Sequence, residues 1–268
     1  MSNKKHSLGD RMKRFYEAIP KTNLMRRTPV IIRIDGKAFH TFTKGFAKPF
    51  DYVLSNTMTR TMKYLCENIQ GCVFGYTQSD EITLVLVDYK TLATNAWFDY
   101  EVQKMCSISA SMATMAFNRF FIEEVVNAID DSDGGLDNQL LEAYKKATEH
   151  GAMFDSRVFN IPKEEVCNCL IWRQQDATRN SIEMVGRYYF SGKELFMKNC
   201  SDIQDMLMTQ HNVNWNDTPT RFKRGSACYR IETELEETDV TRHVWIVDTE
   251  MPILTQYREY VERFIFVG

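Results

Sequence analysis

The chain has 268 residues, of which 44% are hydrophobic and 12% aromatic, so it can bury a substantial core. Its 33 Lys and Arg against 36 Asp and Glu give a net charge of −3, which excludes binding of nucleic acid by bulk positive charge and leaves only local contacts. No apolar run approaches the roughly 20 residues of a membrane span. The charged start, MSNKKHSLGDRMKRFYE, also lacks the apolar stretch of a signal peptide. We therefore expect a cytoplasmic protein with no membrane partner.

The cysteines give no sign of a disulfide framework or a zinc site. There are seven of them, scattered mostly through apolar segments and never spaced as CxxC. An odd number without paired spacing predicts reduced thiols in the core.

The predicted elements alternate between strands and helices. The run PVIIRID (29–35) is apolar and β-branched, as is typical of a strand buried on both faces. Apolar residues recur at steps of three and four over 51–69, which indicates a core-facing helix. Two apolar runs flank Gln78-Ser79-Asp80 and predict a hairpin. In chain order we predict a helix at 8–19, a strand at 29–35, a helix at 51–69, strands at 72–77 and 81–87, a helix at 94–121, an acidic loop at 127–137, a helix at 138–148, a strand at 157–162, a long helix from 163, a helix near 201–210, and strands at 225–232 and 243–248.

The order from residue 29, strand-helix-strand-strand-helix-strand, is that of a split βαβ, ferredoxin-type fold. We predict the α+β class, with an antiparallel sheet covered by helices. A catalytic domain at 1–162 would be followed by a C-terminal extension of helices and strands, 163–268, packed on it.

Acidic residues stand where this topology would bring them together. In a split βαβ sheet the third strand lies between the first and second, so the end of the first strand abuts the start of the third. Asp35 occupies the first place and Asp80-Glu81 the second. Clustered carboxylates bind hard cations, and two Mg²⁺ ions about 3.5–4 Å apart activate an attacking oxygen and steady a leaving pyrophosphate. The sequence therefore predicts a metal-dependent nucleotidyltransferase.

The neighbouring residues suit that chemistry. Gly36 allows close backbone approach, Lys37 and Lys44 can meet phosphates, and Ser79 offers a hydroxyl at the hairpin tip. The alternative is that Asp80 only makes the turn and Asp35 only ends a strand. Adjacent strand residues face opposite sides, so Asp80 and Glu81 both reach the metals only if the turn is irregular.

Six ordered motifs resemble the tRNA-histidine guanylyltransferase superfamily. They are RIDGKAFHTF (33–42), FAKPFD (46–51), GYTQSDE (75–81), FDSRV (154–158), WRQQDATRNS (172–181) and VNWNDTP…KRG (213–225). The resemblance implies a polymerase-palm-like core, two Mg²⁺ ions and a homotetramer. It also implies nucleotide addition in the 3′-to-5′ direction at the 5′ end of tRNA, after ATP or GTP has activated the 5′-monophosphate.

The resemblance also implies roles for individual positions. Asp35, Asp80 and the Gly36 carbonyl resemble the metal ligands, and Glu81 is similar to the acid that completes the catalytic site. The implied nucleotide-binding residues are Gly36, Lys37, Ala38, Phe39, His40, Lys44, Ser79 and Lys104. Arg33, Asn180 and Asn216 are implied to contact RNA or to support the site. Arg173 and Asp176 fit a buried hydrogen-bonded network as well as a substrate contact, and Trp172 we expect in the core.

The departures from the family pattern indicate a branch. Where eukaryotic members carry HINN, this chain has Thr178-Arg179-Asn180-Ser181, and Ile203 stands near an expected lysine. The pattern resembles the bacterial and archaeal guanylyltransferase-like proteins, which repair 5′-truncated tRNAs by templated addition. Addition of a single guanylate to tRNA-His, a palm-type nucleotide cyclase and a non-catalytic tRNA-binding module remain as alternatives. The sequence leaves open which tRNAs are used, which nucleotide activates them and what residues 127–153 do.

Overall fold

A computed structural model describes residues 7–132, 135–235 and 238–267. The strands are β1 (Val30–Gly36), β2 (Cys72–Gln78), β3 (Glu81–Leu86), β4 (Phe154–Asn160), β5 (Ser226–Leu235) and β6 (Thr238–Asp248). The α-helices are α1 (Leu8–Met12), α2 (Phe39–Phe42), α3 (Tyr52–Asn68), α4 (Val102–Asp131), α5 (Asn138–His150), α6 (Lys163–Tyr189), α7 (Cys200–His211), α8 (Thr220–Arg224) and α9 (Glu259–Glu262). A π-helical turn covers Lys13–Glu17, and 3₁₀ turns cover Trp97–Tyr100 and Trp215–Asp217. Within these ranges no helix has the length and apolarity of a membrane span.

The strands form one sheet of six in the order β4-β1-β3-β2-β5-β6, and every neighbouring pair is antiparallel. The first four strands have the split βαβ order, with β3 between β1 and β2, which confirms the predicted fold class. Strands β5 and β6 continue the same sheet beyond β2. Residues on both sides of the proposed division at residue 162 thus form one sheet. The division itself stays a prediction.

Both faces of the sheet centre are covered, which explains the continuous apolar runs of its strands. In β1, Ile32 and Ile34 belong to the cluster beneath α3 and α4, whereas Ile31 belongs to the cluster beneath α6. Successive strand residues face opposite sides. Arg33 and Asp35 therefore share the α6 face with Ile31, and the helix that covers this face can supply partners to both.

A cluster of aromatic rings fixes the segment that follows β1. The ring of Phe39 lies 5.5 Å from that of Phe117 and 5.2 Å from that of Phe154, measured between centroids. Phe42 packs against Phe117 and Phe121 in the same cluster. The side chain of Phe39 is thus core, and its buried ring holds the Gly36–Lys44 segment against α4.

The predicted helix at 94–121 begins eight residues too early, because α4 starts at Val102. Phe98, Asp99 and Tyr100 have φ of 49°, 52° and 57°, a region that a right-handed helix cannot include. This segment is held instead by a hydrogen bond of 3.0 Å from the Leu24 amide to the Tyr100 carbonyl.

The far end of the same helix also departs from prediction. Residues 127–131 continue α4, although we expected them to begin an acidic loop. Ala128 and Ile129 pack against the core, so tertiary burial outweighs the polar composition of the stretch. Strand β4 begins at Phe154, three residues before the predicted start, because its first residue pairs with Gly36.

Gly75 in β2 provides a test of this packing. A Cβ there would lie 2.4 Å from the Cys66 sulfur and 3.1 Å from Met62, and overpacking of a core costs about 1–3 kcal/mol. We expect Gly75→Ala to lower the free energy of unfolding by about 2 kcal/mol. Gly192→Ala is the matched control, since a Cβ there meets nothing within 4 Å. Urea titrations that gave both variants the same stability would contradict the packing of β2 on α3.

Candidate active site

The pairing of β1 with β3 brings the predicted acids to one edge of the sheet. Asp35 stands directly opposite Glu81, and the Gly36 amide donates to the Asp80 carbonyl at 3.1 Å. Ser79 and Asp80 form a two-residue hairpin loop in which Ser79 has φ of 50°. Positive φ at the first loop residue is the pattern of a type II′ turn. The three carboxylates line a cavity of about 310 Å³.

The turn gives the two adjacent acids different environments. Glu81 is buried under α6, where its carboxylate accepts a hydrogen bond of 2.7 Å from Nε of Arg173. Asp80 instead accepts a hydrogen bond of 3.0 Å from the Ser79 hydroxyl and lies at the boundary between this cavity and a second, larger one. Asp80 is therefore the more accessible of the two carboxylates.

Burial raises the pKa of both carboxyls. The pKa of Asp80 is raised chiefly by its removal from water, and the charge of Asp35 raises it further. The pKa of Glu81 is also raised chiefly by burial, although the guanidinium of Arg173 opposes that rise. The site therefore concentrates negative charge, and Arg173 pairs with Glu81 and Asp176 but with neither Asp35 nor Asp80.

Arg173 and Asp176 form a hydrogen-bonded network on α6. Nη2 of Arg173 donates to Asp176 at 2.9 Å, and the other oxygen of Asp176 binds Arg179. Asn180 lies at 3.5 Å from the same carboxylate. Of the two interpretations that the sequence allowed for Arg173 and Asp176, the structure shows the network, which holds α6 against β3.

The donors at this edge fit magnesium. Asp35, Asp80 and the Gly36 carbonyl offer hard oxygen ligands, and a cation would relieve the repulsion that Asp35 exerts on Asp80. A Cβ on Gly36 would lie 2.3 Å from the Phe39 ring, so the close approach of the backbone requires glycine. Within the described part of the chain no three His, Cys, Asp or Glu side chains form a metal cage. Mg²⁺ commonly binds one or two carboxylates and completes its shell with water and substrate phosphates. The metal roles of these residues stay predictions.

A second cavity of about 800 Å³ adjoins the acids and has the size of a nucleotide site. Most of the residues that the sequence assigned to nucleotide binding line it, namely Gly36, Ala38, Phe39, His40, Lys44 and Ser79. Phe39 can offer only its backbone, since its ring is core. Lys48, Asn180 and Arg187 line the same cavity. The cationic groups of Lys48 and Arg187 and the amide of Asn180 suit a polyphosphate.

Three predicted residues lie elsewhere. Lys37 and Lys104 line neither cavity; the ammonium of Lys104 lies 5.0 Å from the Phe98 ring centroid, near the start of α4. Asn216 also lies outside both, and its carbonyl accepts a hydrogen bond from Lys223. Their roles in nucleotide and RNA binding stay predictions, because within one chain these residues do not line either cavity.

Among the site residues that sequence reasoning missed are Lys48, Trp172 and Arg187. Trp172, which we expected in the core, is 52% exposed and lines the acid cavity. It lies two residues after the buried Leu170, about 200° around the helix. The two side chains therefore lie on opposite faces, and the burial of Leu170 does not extend to Trp172. Arg187 lies seven residues after Asn180, on the same face of α6. That spacing was available in the sequence.

A sheet with clustered carboxylates beside a nucleotide-sized cavity is the arrangement of a nucleotidyltransferase. The sequence model of the tRNA(His) guanylyltransferase family, Thg1, matches residues 9–162, and the chain belongs to this family. Its members are nucleotidyltransferases that act on tRNA and bind nucleotides.

Solved structures and sequences agree with this assignment. The chain is similar to a bacterial tRNA(His) guanylyltransferase (Thg1)-like protein in complex with ATP, with 43% identity and a TM-score of 0.81 over 98% of this chain and 100% of that one. A second such bacterial structure, in complex with GTP, has 41% identity and a TM-score of 0.78 over 97% and 100%. An uncharacterized protein of Acanthamoeba polyphaga mimivirus is 29% identical over 97% of this chain and 89% of its own length. The family resemblance and the mixed α/β fold are confirmed.

The raised pKa of Asp80 predicts a pH-dependent gain in stability for Asp80→Asn in EDTA. A carboxyl whose pKa is higher folded than unfolded destabilises the fold above the folded value, and this penalty disappears as the pH falls to the unfolded value near 3.8. We expect Asp80→Asn to raise the melting temperature at pH 7 and to lose this advantage toward pH 4. Thermal unfolding across that range measures it. Asp155→Asn serves as the control, because Asp155 is an exposed carboxyl that stands opposite Asp35 in the strand register. A pH-independent difference for Asp80→Asn would contradict a raised pKa at Asp80.

The Arg173 network predicts a large difference between two arginines of α6. Arg173→Leu leaves the buried Glu81 carboxylate without its partner, and we expect a loss of about 3–5 kcal/mol in unfolding free energy. Arg179→Leu should cost less than about 1 kcal/mol, because that side chain is 60% exposed. Adding Glu81→Gln to Arg173→Leu should recover part of the loss, since position 81 then carries no buried charge without a partner. Denaturant titrations of wild type, Arg173→Leu, Glu81→Gln, the double variant and Arg179→Leu measure this. Additive effects of Arg173→Leu and Glu81→Gln would contradict the interaction.

Proposed function

We propose that this protein adds nucleotides in the 3′-to-5′ direction to the 5′ end of tRNA, with the 3′ strand of the acceptor stem as template, and so repairs 5′-truncated tRNAs. The observation that carries the proposal is the junction of two cavities at Asp80. The smaller cavity is lined by Asp35 and Glu81. The larger has the size of a nucleotide site, and its lining includes the basic residues Lys44, Lys48 and Arg187 as well as the acids Asp51 and Glu183. Similar proteins have been solved with ATP and with GTP, which supports nucleoside triphosphates as substrates of this cavity.

The proposed reaction has two transfers. An oxygen of the RNA 5′-monophosphate first attacks the α-phosphorus of ATP, or of GTP, and pyrophosphate leaves. The 3′-hydroxyl of the incoming nucleotide then attacks the activated 5′-phosphorus, AMP or GMP leaves, and the RNA gains one nucleotide that carries a 5′-triphosphate. In the first transfer the nucleophile is already an anionic phosphate oxygen, whereas in the second the 3′-hydroxyl must lose its proton. In both, negative charge builds on the leaving group as the bond breaks and has to be neutralised.

The side chains serve these requirements by position and charge. Asp35, Asp80 and the Gly36 carbonyl would hold two Mg²⁺ ions, which supply charge neutralisation at the reacting phosphates when bound. His40, Lys44 and Arg187 would contact the triphosphate from the wall of the larger cavity. Glu81, fixed by Arg173, supports the acids from beneath α6.

A template explains the weak overall charge. If Watson–Crick pairing selects the base, the protein needs only to bind RNA shape and backbone. A net charge of −3 with local basic clusters suits that task. The exchange of HINN for Thr178-Arg179-Asn180-Ser181 favours repair of several tRNAs over guanylate addition to tRNA-His alone. We also propose a homotetramer, to be tested by light scattering, and a cytoplasmic location, in keeping with the free thiols of all seven cysteines.

An extension assay tests the function directly. We expect the protein, with Mg²⁺, ATP and the four NTPs, to extend a 5′-monophosphorylated tRNA that lacks its first nucleotide, and EDTA to abolish the product. No extension on a panel of such tRNAs would overturn the proposal. A cyclic nucleotide formed from ATP or GTP without RNA would indicate a cyclase instead, and metal-independent RNA binding without turnover would indicate a binding module. Guanylate added only to tRNA-His would replace repair by that narrower activity.

Substitution of the acids gives the matched comparison. We expect Asp35→Ala and Asp80→Ala each to lower the extension rate by at least about 100-fold, since each removes a ligand worth several kcal/mol in the transition state. Asp155→Ala removes an exposed carboxylate opposite Asp35 that lines neither cavity, and its rate should stay within about threefold, less than 1 kcal/mol. Full activity of both Asp35→Ala and Asp80→Ala would exclude the two-metal site.

A further inference from the structure

The indole of Trp172 is a large aromatic surface that the fold leaves open beside the acids. The residue is 52% exposed, yet it lines the same cavity as Asp35, Asp80 and Glu81. The other surfaces of that cavity are almost entirely polar or charged. An exposed tryptophan at the mouth of a polar site is a binding feature more than a packing one, because burial of its ring elsewhere would stabilise the fold.

Two guanidinium groups fix the orientation of this ring. The Cζ atom of Arg173 lies 4.4 Å from the ring centroid and that of Arg33 lies 5.5 Å from it. Arg173 is itself held by Glu81 and Asp176. Cation–π contacts of this kind hold an aromatic ring without covering all of it. The indole is therefore preorganised, and its binding costs little conformational entropy.

The charge around the ring suits a polyanion. The guanidinium of Arg33 forms no hydrogen bond or ion pair with any residue that the structure describes, so its donors are uncommitted. Arg157 on β4 pairs in register with Arg33 and is 54% exposed. Neither of the two arginines lines the larger cavity. Asp155, which is near Arg157, offsets part of this charge.

The arrangement of the two cavities says which substrate meets the ring. They share only Ser79, Asp80 and Asn180 among their lining residues. A reaction at Asp80 joins two substrates, and the larger cavity takes the nucleotide. The RNA end must then approach from the side of the smaller cavity, whose rim carries Trp172.

We propose that Trp172 is the stacking platform for the base of the 5′-terminal nucleotide of the RNA. This inference rests on the proposed function and adds a residue to it. Aromatic stacking accepts any base, because every base has a π-face. A platform of this type positions the end of the RNA while template pairing selects the nucleotide, so one site serves RNAs with different terminal bases.

The test is a thermodynamic cycle that compares the affinities of protein variants for two RNAs. Binding is measured in EDTA and without nucleotides, by fluorescence anisotropy of a 3′-labelled, 5′-monophosphorylated tRNA. One RNA carries its normal 5′-terminal base and a second has an abasic residue there. We expect Trp172→Ala to weaken binding of the normal RNA by roughly 5- to 100-fold and Trp172→Phe to stay within about threefold, since phenylalanine keeps a stacking ring. The abasic RNA should bind wild type with a similar loss, and Trp172→Ala should add none.

Controls separate stacking from structure. Phe196→Ala removes an exposed ring, 74% accessible, that lines neither cavity and should leave affinity unchanged. In steady state Trp172→Ala should raise KM for RNA while kcat and KM for ATP stay within about threefold of wild type, because the platform acts in binding. If Trp172→Ala weakened the binding of normal and of abasic RNA equally, the proposal would be overturned. A third RNA carries its abasic residue on the 3′ strand of the acceptor stem. The proposal would also be overturned if the effect of Trp172→Ala disappeared with that RNA alone. A lower solution mass of Trp172→Ala by light scattering would assign the ring to a subunit interface instead.

The outcomes also distinguish this inference from the reaction itself. If wild type binds RNA with the predicted coupling but never extends it, the platform stands and the proposed reaction fails. If wild type extends RNA and the coupling is absent, the reaction stands and the platform fails.

Discussion

The register between β1 and β3 is the constraint on which the site depends. Ile34 pairs with Ile82 and Ile32 with Leu84, and all four are fully buried against α3 and α4. A slip of one residue would turn these side chains to the other face of the sheet, so the apolar core holds the register. Asp35 and Glu81 face each other because the isoleucines behind them cannot move. The position of the acids is set by hydrophobic packing, against their own electrostatic repulsion.

The hairpin loop then separates two carboxylates that are adjacent in sequence. Glu81 belongs to the strand, faces α6 and is neutralised by Arg173. Asp80 belongs to the turn and lies where the two cavities meet. The left-handed conformation of Ser79 produces this difference. One acid stabilises the position of a helix, and the other keeps its charge available for a cation and a substrate.

Much of this could be predicted from the sequence, and the errors have physical causes. The pattern of PVIIRID and the hairpin around Ser79 predicted the strand order and the meeting of Asp35 with Asp80, because both depend on local patterning and on topology. The predicted start of α4 was wrong because three residues with positive φ interrupt an apolar pattern that looks helical. The prediction that Trp172 lies in the core was wrong because apolar neighbours in sequence do not reveal which side of a helix is covered. Arg187 was missed although its spacing from Asn180 was available, because the sequence does not show that this face of α6 borders a cavity.

The attachment of β5 to β2 bears on how this protein can be divided. The family match ends at residue 162, but four residues of β2, Phe74–Thr77, are hydrogen-bonded to β5 from the C-terminal part. The backbone of β2 would become an open sheet edge in a fragment that stopped there, and unpaired edges recruit other chains. Cys228 and Trp245 would also leave gaps in the cluster beneath α3. The catalytic strands thus depend for their solubility on a segment that contributes Asp176 but none of the three acids Asp35, Asp80 and Glu81.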